Sequence, residues 1–282
     1  MIGVWFLIAV GFIAVIVASV QDIKYREVPN WIGFSLIIFA LGFRFFYSLF
    51  SGESFQDLNF FYYGLIGLGI FVVIGHLFYY SHFFAGGDAK LLIALGTILP
   101  FTNSIYVNFK IGMLFLVLFM VVGGIYGLFW SILLSIKHRD VFGYELKKQY
   151  YKFHGLIHVF IILGVLLMIL SSVINLGLFM MGILIFIFPY ILLYAKTVDE
   201  ACMIKKVETS KLTEGDWLYE NVKVGNKVIK QKWEGLSLDE IKLLKKKKFV
   251  YIREGIPFVP VFFISFLILV CMYFNGSGLG IF

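Results

Sequence analysis

Eight long apolar segments, separated by polar ones, constrain the fold of this chain more than any other feature. A helix needs about 20 mostly apolar residues to cross a bilayer, and a spanning helix satisfies all of its own backbone hydrogen bonds. The sequence therefore predicts a membrane protein of the all-α class, a polytopic helical bundle with about eight spans, within a range of six to eight. The segments cover residues 2–20, 31–50, 60–80, 89–106, 111–136, 156–174, 176–195 and 257–274.

The domain organisation follows from the longest polar interruption, at residues 196–256. We expect a transmembrane domain over residues 1–195, a small module over 196–256, and a final transmembrane helix with an outer tail over 257–282. The two segments around Asn175 are together too long for one crossing of about 20 residues, so they predict an inserted hairpin at about 155–195. Residues 2–20 have no basic region before them and no cleavage site, which favours a retained helix.

The distribution of positive charge predicts the orientation. The net charge is +7, and in a membrane protein excess Lys and Arg mark cytosolic loops, so nucleic acid is not an expected partner. With the N-terminus outside, residues 21–30, 81–88, 137–155 and 196–256 face the cytosol. Together with Lys90 they hold 22 of the 24 Lys and Arg, and Arg44 and Lys110 are the exceptions. The outer loop 51–59 carries Glu53 and Asp57. We expect a multi-pass protein of the plasma membrane, with the lipid bilayer as a partner.

The module at residues 196–256 has the patterns of a cytosolic α+β unit. Residues 222–230 alternate apolar and polar side chains around Gly225-Asn226, which predicts a hairpin. Ser237 and Glu240 form a capping-box pattern for a helix to about Lys248, and residues 249–252 predict a strand. About 60 residues give a small core, so we expect the module to pack on the membrane domain. The lysines at 245–248 are expected to face solvent and anionic headgroups.

Two aspartates lie where apolar segments meet polar loops. Asp22 closes the first segment, and Asp88 follows the flexible pair Gly86-Gly87. A carboxylate near hydrocarbon is costly and is a candidate for function, although Asp88 alone also fits an ordinary N-cap and Asp22 a plain helix end. Two carboxyl groups a few ångströms apart share one proton and titrate as a pair. That arrangement is the chemistry of aspartic proteases.

Metal and cofactor chemistry is not indicated by the sequence. His154 and His158 are one helical turn apart but lack the glutamate of the H-E-x-x-H pattern, and two distant cysteines cannot build a four-cysteine zinc site. We therefore predict no metal and no cofactor. His82 lies close to Asp88 in sequence and is a candidate to tune it.

The flanks of the two aspartates resemble the motifs of a known family. Asp22-Ile23 followed by residues 28–30, Val-Pro-Asn, and residues 85–90, Ala-Gly-Gly-Asp-Ala-Lys, resemble the type IV prepilin peptidases, and within them the archaeal preflagellin (prearchaellin) peptidases. These are membrane aspartyl proteases of the GxGD class. The first glycine of that motif is Ala85 here. Residues 212–218 and 254–260 also resemble archaeal members.

The resemblance implies an aspartic endopeptidase with Asp22 and Asp88 as the catalytic pair, in residues 1–195, and with Ala85, Gly86 and Gly87 as the active-site loop. It implies a substrate that is an archaellin or pilin-like precursor with a class III signal peptide and a short basic leader, cut at the cytosolic membrane face.

Two other functions remain open from the sequence. A proton-coupled transporter can use Asp22 and Asp88 as relay groups, although relay carboxylates usually lie near the bilayer midplane. A scaffold whose module binds soluble partners needs neither carboxylate. Ion flux through the protein would distinguish a transporter from a protease. Normal assembly of the pilus or archaellum by a variant with Asn at both positions 22 and 88 would favour a scaffold.

Overall fold

The computed structural model describes residues 2–50, 58–172, 175–225 and 227–275, so the predicted outer tail after residue 275, Glu53, Asp57 and Asn226 lie outside the described residues. The described helices are α1 (Ile2–Tyr25), α2 (Asn30–Phe50), α3 (Asn59–Tyr80), α4 (Gly86–Leu95), α5 (Ile105–Lys137), α6 (Arg139–Leu170), α7 (Leu176–Cys202), α8 (Leu238–Leu244) and α9 (Pro260–Asn275). They belong to two compact units, Met1–Leu128 with Ile256–Phe282, and Phe129–Gly255.

Within the described residues, six helices are long and apolar enough to cross a membrane: α1, α2, α3, α5, α6 and α7. The predicted polytopic helical bundle is therefore confirmed, with six such helices at the lower end of the predicted range. The last predicted span forms the 16-residue helix α9, which is short for a full crossing.

The fourth predicted span, residues 89–106, is wrong as one continuous helix. Helix α4 has 10 residues and ends at Leu95, and α5 begins only at Ile105. Gly96 and Pro100 explain the interruption, because glycine weakens a helix and proline removes a hydrogen-bond donor and restricts the residue before it. Apolarity alone predicts a span here, whereas the chain folds as a short helix followed by turns.

Glycines allow α3 and α4 of the first unit to pack closely. A Cβ added at Gly67 would lie 2.2 Å from the carbonyl oxygen of Gly96, and one at Gly75 would lie 2.6 Å from the Ile93 side chain. Small residues at such contacts let helix backbones approach each other in a membrane. Near the start of α3, the Tyr63 hydroxyl donates to the carbonyl of Asn103, 2.9 Å away, so residues 86–103 run alongside α3.

Gly67→Ala is expected to destabilise the protein by about 1–3 kcal/mol, the usual cost of overpacking. The new methyl group meets a backbone carbonyl, which has no rotamer by which to move away. Gly69→Ala is the matched control, since nothing lies within 4 Å of a Cβ there. Thermal unfolding in detergent measures both. Equal midpoints for the two variants would contradict the packing described.

The second unit contains an antiparallel pair of long helices. Helix α6 begins at Arg139, so the loop predicted at residues 137–155 is wrong and most of it is helical. A Cβ at Gly164 would lie 2.9 Å from the carbonyl oxygen of Gly182 on α7. The side chain of Asn175 caps α7 by accepting from the Leu178 N–H at 3.1 Å. The predicted hairpin is therefore longer than its predicted limits.

The module that follows α7 is an α+β unit, as predicted. Strands β1 (Ile204–Glu208), β2 (Trp217–Leu218) and β5 (Phe249–Arg253) form an antiparallel sheet in the order β1-β5-β2, and β3 (Val222–Val224) pairs with β4 (Lys227–Ile229) as the predicted hairpin. The capping box at Ser237 and Glu240 is confirmed. Helix α8 ends at Leu244 and not at Lys248, so the predicted helix is four residues too long.

The module has a hydrophobic core of its own. This core is larger than we expected from a length of about 60 residues. Within the described residues its buried apolar side chains form a single cluster. Packing on the membrane domain is therefore not needed to give it a hydrophobic interior. The cluster consists of Leu212, Leu218, Val222, Ile229, Leu236, Ile241, Leu244, Val250 and Ile252.

Candidate functional site

Asp22 lies in the last turn of α1, at the helix end where the sequence placed it. The helix continues to Tyr25, and the Arg26 N–H donates to the Asp22 carbonyl at 2.9 Å. The Asp22 side chain is buried, with 7% exposed. Its Oδ2 accepts a hydrogen bond of 2.9 Å from the backbone N–H of Val259. This buried carboxyl therefore has a fixed donor from a segment 237 residues away in sequence.

The donor at Val259 follows from the start of α9. Val259 directly precedes Pro260, the first residue of that helix. The first N–H groups of a helix have no partner inside it, and Val259 is fully buried away from water. Asp22 supplies the missing acceptor. In the sequence, residues 254–260 stood out only through a resemblance, and their role as a donor to Asp22 was not predicted. Pro260 was the available signal, because proline favours the first position of a helix.

Asp88 is the third residue of α4. Ala85 is the N-cap, with extended backbone angles of −67° and 160°, and the Asp88 carboxyl accepts from the Ala85 N–H. This contact is the half of a capping box that the acidic residue supplies. The predicted active-site loop is therefore shorter than expected, because Gly86 and Gly87 belong to the first turn of the helix and only Ala85 lies outside it.

Gly87 is required because the backbone at the start of α4 lies very close to Val28. It is not required for an unusual backbone angle. Neither Gly86 nor Gly87 is among the described residues with positive φ. A Cβ at Gly87 would lie 3.0 Å from the Cβ of Val28 and 3.2 Å from its carbonyl oxygen, whereas the nearest atom to a Cβ at Gly86 is in Tyr79, at 3.8 Å. The start of α4 thus packs directly on residue 28.

A second contact joins the same two motifs. The Lys90 ammonium donates to Oδ1 of Asn30 at 2.7 Å. With the Gly87–Val28 contact, it brings residues 28–30 and 85–90 together. Nothing local in the sequence requires this, because the motifs lie on different helices some 60 residues apart.

The two aspartates interact electrostatically. Burial and, after it, the negative charge of Asp22 raise the pKa of the Asp88 carboxyl to about 7, although the hydrogen bond from Ala85 lowers it. Arg26 and Tyr126 also lie within electrostatic range of Asp22. Two carboxyls that interact in this way can hold one proton between them.

Asp88→Asn is expected to stabilise the protein at pH 8 by about 2–4 kcal/mol. An exposed Asp88 of the unfolded chain titrates near 3.8, and the folded one near 7. The folded state therefore binds the proton more tightly, and its stability falls as the pH rises from about 4 through 7. Unfolding midpoints in detergent at pH 4 and pH 8 measure the effect.

The stabilisation by Asp88→Asn should disappear at pH 4, where Asp88 of the folded wild type is protonated. Asp239→Asn is the control, since Asp239 is exposed at the start of α8, and no such gain is expected there. A stabilisation by Asp88→Asn that is the same at both pH values would contradict the buried, proton-binding role of this carboxyl.

His154 and His158 make their described hydrogen bonds within α6, away from the two aspartates in sequence. His82 is exposed and has a positive φ of 61°. Nδ1 of His154 and of His158 each contacts a backbone carbonyl of their own helix, at 2.7 and 2.6 Å. Among the described residues, there is no group of three or more His, Cys, Asp and Glu able to hold a metal ion.

Comparisons with known proteins match the part of the chain that carries both aspartates. Residues 9–128 match the model of the Type IV leader peptidase family. A protein of Methanococcus maripaludis (strain C6) named Preflagellin peptidase is 31% identical over 100 residues, 35% of this chain and 41% of the relative. A protein of the same name from Methanococcus voltae is 28% identical over 92 residues, 33% of this chain and 37% of the relative.

A third protein named Preflagellin peptidase, from Methanocaldococcus jannaschii, is 29% identical over 94 residues, 33% of this chain and 38% of the relative. These alignments span about two fifths of the length of the curated relatives. No solved structure matches the chain significantly. The motifs around Asp22 and Asp88 both fall inside residues 9–128, and this stretch, less than half of the chain, is what is similar to the type IV leader peptidase family.

Proposed function

We propose that this protein is a membrane aspartyl endopeptidase that removes leader peptides from archaellin or type IV pilin-like precursors at the cytosolic face of the plasma membrane. One observation carries the proposal: the carboxyl groups of the buried Asp22 and the half-buried Asp88 interact electrostatically inside the stretch that matches the peptidase family. Two interacting carboxyls that hold one proton between them suit acid–base catalysis of peptide hydrolysis.

The environments of the two carboxyls support distinct roles. Burial disfavours a charge on Asp22, but the N–H of Val259 and the nearby Arg26 oppose that effect and stabilise its carboxylate, so we assign Asp22 as the base that takes a proton from the attacking water. Burial favours the protonated form of Asp88, so we assign it as the donor of a hydrogen bond to the scissile carbonyl oxygen. As water adds to the carbonyl carbon, Asp88 neutralises the developing oxyanion. The leaving amine then takes up a proton from the pair.

The substrate class is supported by two independent arguments. The relatives from three methanogens are named for the cleavage of preflagellin, and the motif resemblance implies a basic leader followed by an apolar stretch. The distribution of Lys and Arg separately favours a position for both aspartates at the cytosolic face of the membrane. A leader that has not been translocated meets the membrane at that face. Neither argument favours the transporter, and no comparison supports it.

The direct test uses the purified full-length protein in liposomes with a precursor that carries a basic leader. We expect a single cut between leader and apolar stretch, identified by mass spectrometry of both products, and a rate that EDTA leaves unchanged. A precursor in which the leader is replaced by a neutral, scrambled peptide is the control. Absence of cleavage in every precursor tested, together with proton flux into the liposomes, would reject the peptidase and favour the transporter.

A further inference from the structure

A buried arginine in the first unit is not used by the proposed reaction. Arg44 lies on α2, one of the six long apolar helices, and is fully buried. Its guanidinium donates from Nε to the Thr97 carbonyl at 2.9 Å and from Nη2 to the carbonyls of Ile98 and Pro100 at 3.2 and 2.7 Å. Nη1 donates to the Phe60 carbonyl at 2.9 Å. A charge is costly inside a membrane protein. The four carbonyl acceptors therefore indicate that Arg44 has a specific structural role.

Three of the four acceptors lie just beyond the end of α4. The last carbonyls of α4 itself accept from residues 96–99, whereas the carbonyls in the turns that follow need other donors, and in a membrane no water is present to satisfy them. A guanidinium offers five donors in a fixed planar arrangement. Its positive charge also complements the negative end of a helix dipole. Arg44 therefore satisfies the carbonyls that the interruption after Leu95 leaves exposed.

We propose that Arg44 is a positioning residue, which fixes α4 at its carboxyl end and thereby sets the place of Asp88 at the opposite end. The inference rests on the proposed function, since it concerns the geometry of the same site. Asp88 and Leu95, the last residue of α4, are seven positions apart, about 10 Å of helix at 1.5 Å per residue. A helix this short transmits a shift at one end to the other as a rigid rod, because its backbone hydrogen bonds leave no hinge between them.

Gly64 on α3 shows that the space around Arg44 is closely shaped. A Cβ at Gly64 would lie 2.5 Å from Cδ of Arg44 and 3.0 Å from its Nε. Gly64→Ala therefore displaces the guanidinium without removing its charge. Gly69 lies on the same helix, with nothing within 4 Å of a Cβ there, so Gly69→Ala is a matched control with the same chemical change.

The experiment measures kcat, KM and the pH profile of precursor cleavage for the full-length protein in liposomes, per folded molecule. Arg44→Met and Gly64→Ala are expected to lower kcat about 100-fold, the effect of a misplacement of about 1 Å, with little change in KM. Both should also move the midpoint of the pH profile. Arg44→Lys, which keeps the charge with three donors, should recover part of the rate, and Gly69→Ala should match the wild type.

The pH midpoint separates positioning from a purely structural role. Asp22 is the charged group that the described contacts place near Asp88. Arg26 and Tyr126 interact with Asp22, and Lys90, two residues after Asp88, bonds Asn30. None of these groups changes in the variants. Arg44→Met with a lower yield but unchanged kcat and midpoint would overturn the inference. Failure of the wild type to cleave any precursor would instead reject the proposed function.

Discussion

Asp22→Asn and Asp88→Asn should each lower the rate of precursor cleavage at least about 1,000-fold, within the range that general acid–base groups contribute. Each substitution keeps the size of the side chain and removes its ability to hold or release the shared proton. An asparagine at position 22 can still accept the 2.9 Å hydrogen bond from the Val259 N–H. The loss should therefore appear in kcat and not in the amount of folded protein.

Glu27→Gln is the matched control for the two aspartate variants. Glu27 is an exposed acid between Asp22 and Pro29 in sequence. Its change from acid to amide should leave kcat near the wild-type value. Single-turnover cleavage of a fluorescent precursor measures all three variants. Substantial cleavage by either Asn variant would remove that residue from the catalytic pair, whatever its effect on stability.

Gly87→Ala is expected to lower kcat by about 10- to 100-fold, whereas Gly86→Ala should stay within about threefold of the wild type. The added methyl group at Gly87 meets Val28 at 3.0 Å, and at Gly86 its nearest neighbour is 3.8 Å away. The first change pushes the start of α4, and Asp88 with it, away from residue 28. Both variants gain the same helix propensity, so the comparison isolates the contact.

Steady-state kinetics on the two glycine variants, with the circular dichroism of each, provide the measurement. Equal losses of activity in both would contradict the assignment of the close approach to Gly87 and would support the flexible loop that the sequence suggested. Full activity in both would show that the start of α4 tolerates a shift.

The parts of the fold that depend on local patterns could be predicted from the sequence. Apolar length predicts the six long helices, and the capping box at Ser237 predicts the start of α8. Strand β2 has only two residues, too few for any alternation to appear. The end of α4 at Leu95 was missed because apolar content measures burial in lipid and is insensitive to the turn that Gly96 and Pro100 introduce.

Of the residues in the candidate site, only the two aspartates could be predicted from local sequence patterns. Asp22 and Asp88 stand out because charge is costly beside hydrocarbon. The hydrogen bond from Val259 and the contact of Gly87 with Val28 join distant segments, and tertiary pairing of that kind leaves no local pattern. Arg44 was recognised only as an exception to the charge bias, since its acceptors are backbone carbonyls that every residue carries.

The hydrogen bond between Val259 and Asp22 has a consequence for the order in which the protein becomes active. Both aspartates lie within the first 128 residues, but the donor to one of them belongs to the start of α9, beyond the α+β module. A ribosome that has released α1 to α5 has made the whole stretch that matches the family, yet Asp22 still lacks its partner. The proposed peptidase is thus incomplete while α9 is still to be made, and its site closes only when α9 packs against α1.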